Sequence, residues 1–207
     1  TAHRILCWLL IFSAAASFCC PNPYDGRLFD NPFFDSLFSV FYRPHLLSDL
    51  FHESLTVYPA LVELHNILPR LRSDSMWSTG DTNLDFAVAV MLFVLGIGGG
   101  SNFIASQILP KNSPHCITGF SPVVAASMAY CHRIRVLGPL VLFRLDVLSV
   151  NTSDLYWTEL ALIFLRGTRN TFPTMVAWLV AGLLGTALAK YQLENLVIWG
   201  GFYKLFG

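Results

Sequence analysis

Four stretches of this chain contain no Asp, Glu, Lys or Arg over about the length needed to cross a bilayer: residues 5–24, 86–110, 112–132 and 170–189. An apolar helix of that length leaves few folding options. It is buried in a protein core, or it sits in lipid with every backbone polar group satisfied inside the helix. The first stretch is apolar from Ile5 to Cys20 and is stopped by Pro21 and Pro23. It is long for the core of a signal peptide and is read as a retained helix. Two weaker segments complete the set: 54–69, with Glu63 and His65 inside it, and 154–166, with Glu159 inside it. The expectation is therefore an all-α, polytopic membrane protein of six transmembrane helices.

Composition agrees. Of 207 residues, 54% are hydrophobic and 13% charged, against roughly 25% charged in a soluble domain. Basic and acidic residues balance at thirteen each. No basic stripe exists, so nucleic acid is not expected as a partner. Ionisable groups at membrane depth normally face a protein interior or a wet cavity. Glu63 lies close to Pro69 and Arg70 and is expected to snorkel to water. Glu159 is left open between an inward and an interfacial position.

Six spans place Arg4, Arg70, Arg72, Arg133, Arg135, Arg144, Lys190 and Lys204 on one side, and Arg27, Arg43, Lys111, Arg166 and Arg169 on the other. Eight against five puts both termini on the cytoplasmic or matrix side. The 21–53 connection holds four prolines, with Phe29, Phe33, Phe34, Phe38, Phe41 and Tyr42. It is too aromatic for a solvated linker and is expected to lie at the membrane interface or fold back on the helices. The whole chain, 1–207, reads as one domain: a first helix at 1–20, the aromatic loop 21–53, helices two to six over 54–195, and a tail at 196–207.

Several motifs are weak. Five cysteines, without a C-x-x-C pair, point to buried apolar side chains and to no metal site. No cofactor is expected. Gly96 and Gly100 have G-x-x-x-G spacing, and Ala181 and Gly185 repeat a small-x-x-x-small pattern; both are expected to let helices approach closely. The sequon Asn151-Thr152-Ser153 falls on the positive side and is read as chance.

The stretch Gly119-Phe120-Ser121-Pro122, with the small apolar run up to Tyr130, resembles the rhomboid family of intramembrane serine proteases. That family's fourth helix begins with a G-x-S-G turn. Ala177-Trp178-Leu179-Val180-Ala181-Gly182 with Gly185 is similar to its sixth helix, A-H-x-x-G-x-x-x-G. Tyr42-Arg43 and Phe51-His52 are similar to its W-R…F-x-H stretch. The resemblance implies a rhomboid-like bundle. It also implies that Ser121 holds the nucleophile position and Trp178 that of the catalytic base.

Here the departures matter. Trp178 accepts no proton, and a serine without a base is a poor nucleophile. Pro122 has replaced a glycine and its N–H. The positions of the family's H-x-x-x-N fall at Thr56 and Ala60, and its stacking aromatic at Ala125. His65 and His132 are the remaining alternative bases. Gly119, Ser121 and Trp178 therefore read as vestigial, with the Ser121 hydroxyl expected to cap the first turn of its helix.

The resulting expectation is a non-catalytic membrane protein whose partners are other transmembrane proteins and lipids. One form is a structural accessory subunit of a larger complex, such as a respiratory or ATP synthase complex, in the mitochondrial inner membrane. The other is a derlin-like pseudoprotease that binds membrane clients, with the endoplasmic reticulum as its site. Tyr42, Arg43, Trp199, Phe202 and Tyr203 are the expected partner or lipid contacts. A transporter would want paired intramembrane charges and an internal repeat, and the chain has neither.

Overall fold

The computed structural model describes residues 2–19, 31–42, 46–72, 82–109, 119–134, 141–144, 149–151, 157, 159–161, 163–165 and 171–206. These are helical apart from one small hairpin. Helix α1 (Ala2–Cys19) contains neither Gly nor Pro. Its hydroxyls turn back on the helix, Ser13 to the Leu9 carbonyl at 2.8 Å and Ser17 to the Ser13 carbonyl at 2.7 Å, which removes polar groups from an apolar surface.

The expected 21–53 loop is not a loop throughout. Asn31 caps α2 (Pro32–Ser39), its side chain accepting from the Phe33 N–H at 2.9 Å, with Pro32 in the first turn. Helix α3 (Leu46–Arg72) then starts eight residues before the expected second span. Its buried face is Val57, Ala60, Leu61, Leu64 and Ile67, a helical period. Glu63 is only 4% exposed on that face. It does not snorkel, because α3 continues past it and carries it into the packed interior.

Helix α4 (Thr82–Met91) runs through a π-helical segment (Leu92–Gly99) into α5 (Gly100–Ile108). Leu109 leaves the helix with an extended ψ of 150°, the conformation that a following proline requires. Helix α6 (Ser121–Ile134) is shorter than the expected 112–132 span and begins later. At 14 residues it is about 21 Å long, and it is buried on almost every side. It is the central post of the fold, not a lipid-facing span. The expected 132–153 connection contains the hairpin, β1 (Val141–Arg144) paired antiparallel with β2 (Ser149–Asn151).

The last helix, α7 (Thr171–Phe206), has 36 residues, about 54 Å. The expected tail at 196–207 is helical to Phe206 as a continuation of this helix. Among the described residues, two helical stretches are long and apolar enough to cross a membrane, Asn83–Ile108 and Thr171–Gln192, and Ala2–Phe18 is a shorter apolar helix.

Helices α6 and α7 pack in the closest contact of the fold. A Cβ on Gly185 would run into the Ala126 carbonyl oxygen and stand 2.9 Å from its carbon. Ala181, one turn earlier, is fully buried. Here small-residue spacing lets two backbones meet. At the other expected pair it does not. Gly96 is exposed, and a Cβ on Gly100 would meet nothing within 4 Å. The close approaches belong to Gly98 and Gly99, where an added Cβ would stand 2.6 Å from Val123 Cγ2 and 2.8 Å from Leu37 Cα respectively. The cause is the π segment: G-x-x-x-G marks one face only at 3.6 residues per turn, and an i→i+5 ladder turns that face away.

Candidate functional site: a buried polar cluster at the start of helix α6

Gly119 precedes α6 with φ of 100°, a left-handed conformation that glycine adopts at little cost. The turn buries Phe120, whose ring meets Phe41 edge-on at 5.9 Å. Phe41 continues outward to Phe12 at 6.4 Å, and Phe12 to the exposed Trp8 at 6.5 Å. Aromatic rings thus tie the start of α6 to α1.

Ser121 is the first residue of α6. Its hydroxyl donates to Glu159 Oε1 at 2.6 Å. The expected capping role, in which the hydroxyl would accept from a backbone N–H, is not the bond observed: Ser121 is already the first helical residue, past the cap position, and its hydroxyl acts as a donor. Glu159 is 1% exposed, so the inward position is the observed one. In the surrounding apolar interior such a bond counts for more than it would in water.

A second set of polar groups flanks the same turn. The Gly119 N–H donates to the Ser39 carbonyl at 3.4 Å, and the Tyr42 N–H to the same oxygen at 3.1 Å. The Ser39 hydroxyl donates to the Ser36 carbonyl at 2.7 Å and accepts from Asn102 Nδ2 at 3.1 Å. Asn102 is 1% exposed, and its Oδ1 makes no hydrogen bond. Helices α2, α5 and α6 are therefore joined through the single residue Ser39.

The other residues singled out from sequence fall elsewhere. Trp178 is in the core at 1% exposure, with Ala125 at 0%, Thr56 at 3% and Ala60 at 3%. His65 stands edge-on to Phe86 at 4.9 Å, and His132 is exposed. Neither is the hydrogen-bond partner of Ser121. Tyr42, expected at a partner or lipid surface, is buried at 5%, because the chain folds back there to place its N–H on Ser39. Arg43 and the side chains of Trp199, Phe202 and Tyr203 lie outside the described residues. Among the described residues no group of His, Cys, Asp and Glu has the number needed for a metal ion. Glu159 and Asn102 are the residues that the motif search missed. For Glu159 the signal was a lone acid in an apolar segment. Asn102 carried none, since it sits just past the glycine run whose orientation the π segment sets.

Chemically, a hydroxyl beside a carboxylate has a proton acceptor. A reacting carbonyl would also need donors for its oxygen. Pro122 has no N–H, and the Gly119 N–H points to Ser39. The chain matches no protein-family model, no curated protein and no solved structure.

Proposed function

We propose that this chain is an integral membrane protein with a structural, non-catalytic role, serving as an accessory subunit of a larger membrane complex with a rhomboid-like helical framework. One observation carries the reading: polar groups point in and large apolar groups point out. Glu63, Asn102 and Glu159 are at most 4% exposed, whereas Phe18 is 78%, Leu183 72% and Leu165 80% exposed. In water that distribution would leave a large apolar surface uncovered. In lipid it is the low-energy arrangement.

Support for a non-catalytic role comes from the start of α6. Two backbone groups beside Ser121 offer nothing to an oxyanion, and Trp178 is a packing residue. The carboxylate of Glu159 is the feature that favours a second reading, in which Ser121 keeps a base. That reading would have to do without donors at positions 119 and 122, and one oxyanion donor typically supplies a factor of about 10²–10³. A mitochondrial inner-membrane complex is the proposed setting.

The test is the native mass of the full chain extracted in mild detergent, with mass spectrometry of whatever comigrates. A stoichiometric particle with fixed partners supports the subunit role. A mostly free chain with varied, substoichiometric partners overturns it in favour of a client-binding protein of the endoplasmic reticulum.

A further inference from the structure

The helix Asn83–Ile108 contains a π-helical segment, Leu92–Gly99. In such a segment the hydrogen-bond ladder holds an extra residue. If the segment reverts to α-helix, everything after it turns by one residue, about 100°. Each residue of α5 then gives its place to the residue before it. The sequence here is suited to that exchange. Gly99 now faces the Leu37 backbone, where no Cβ fits; its successor in that place would be Gly98, also a glycine. Asn102 now bonds Ser39; its successor would be Ser101, a small hydroxyl residue with the same capacity. Gly99 itself would move to the place of Gly100, where nothing stands within 4 Å. The present register also leaves Asn102 Oδ1 buried without a hydrogen bond, a cost to that register, and the turn would carry Asn102 to the half-buried place of Phe103.

Two places do not exchange evenly. Phe103, whose ring meets Phe33 edge-on at 5.5 Å, would be succeeded by Asn102. Ala105 packs against Ala177 of α7, and both are 0% exposed. Its successor would be Ile104, now exposed, whose larger side chain does not fit that gap.

We propose that the glycine run Gly98-Gly99-Gly100 is a one-residue ratchet. It exchanges α5 between the observed π register, with the α5–α7 seam closed on Ala105 and Ala177, and an α register in which Ile104 wedges the seam open. Packed elements of this kind switch between discrete arrangements instead of deforming continuously, on a microsecond-to-millisecond timescale. The ratchet stands on packing alone and does not depend on the function proposed above.

The test is disulfide cross-linking of the full chain in membranes, with the five native cysteines replaced. The pair Ala105→Cys/Ala177→Cys reports the closed register, and Ile104→Cys/Ala177→Cys the open one. The expected result is fast linking of the first pair and slower linking of the second, from a minor state of about 0.1–10%. Deletion of Gly96 removes the extra residue, so it should abolish the second pair and keep the first. Gly99→Ala clashes with Leu37 only in the closed register, so it should favour the second pair about tenfold or more. The ratchet is overturned if the 104–177 pair never links in the parent chain, if its linking survives deletion of Gly96, or if Gly99→Ala unfolds the protein without raising it.

Discussion

Ser121 Oγ stands 2.6 Å from Glu159 Oε1, and the two residues are 38 positions apart in the chain. The bond joins the first residue of the central helix α6 to a carboxylate that the solvent does not reach. Removing the hydroxyl leaves that carboxylate with one donor fewer in an apolar interior. Ser121→Ala should therefore lower stability by about 1–3 kcal/mol, the cost of leaving a buried acceptor without its donor. In a double-mutant cycle with Glu159→Ala the losses should fall short of additive, because either variant alone removes the same bond. Thermal unfolding in detergent measures this. Additive losses would mean that the two side chains act independently.

Ser121 should not react with a fluorophosphonate probe. A serine that captures phosphorus needs both an activating base and donors for the developing oxyanion; the Gly119 N–H is spent on the Ser39 carbonyl and Pro122 has no N–H. Intact-mass measurement after labelling decides the matter. An adduct on Ser121, lost in Ser121→Ala, would restore the hydrolase reading with Glu159 as base.

Substitutions at the glycines should separate by register, not by motif. Gly185→Ala pushes a methyl into the Ala126 carbonyl and should cost about 1–3 kcal/mol, the range for overpacking. Gly100→Ala meets nothing and should be neutral or stabilising by up to about 1 kcal/mol, since alanine is the better helix former. Equal losses at both sites would refute this assignment of packing faces.

Trp178 fills the core at 1% exposure. Trp178→Ala should cost about 3–5 kcal/mol, as large-to-small changes of buried aromatics do. Denaturation midpoints of the purified chain give the number. A loss below about 1 kcal/mol would mean that the indole is not packed as described.

Leu183, 72% exposed near the middle of the apolar part of α7, is expected to face acyl chains. A cysteine placed there should be unreactive toward a charged, membrane-impermeant maleimide in sealed membranes and become reactive once detergent is added and the chain unfolded. Rapid labelling in intact membranes would place this face in water and contradict the proposed environment.

How much of this was legible in the residues differs from element to element. Uncharged runs at 86–110 and 170–189 announced the helices that became Asn83–Ile108 and Thr171–Gln192, since an apolar stretch of that length satisfies its backbone only as helix. The spacing of Ala181 and Gly185 likewise pointed to a real close approach, because α7 keeps a regular 3.6-residue turn there. The same inference failed at Gly96 and Gly100. A π segment is decided by what its glycines touch, here Val123 and Leu37, and those contacts lie far away in the chain. Nor does composition place an acid. Glu159 in an apolar segment was visibly costly, but its inward position needed a donor, and Ser121 became that donor only when α6 was set in the middle of the bundle.

The sequence by itself determined a helical chain with apolar surfaces, the apolar runs of its two candidate spans, and a side chain at position 178 that accepts no proton. All of these are local consequences of side-chain chemistry and backbone sterics. Tertiary structure alone decided that Ser121 pairs with Glu159, that Ser39 ties α2 to α5 and α6, that Tyr42 and Glu63 turn inward, and which glycines touch. Each of these depends on where a distant segment comes to rest, and in a close-packed interior that position is set by shape complementarity among all the helices at once.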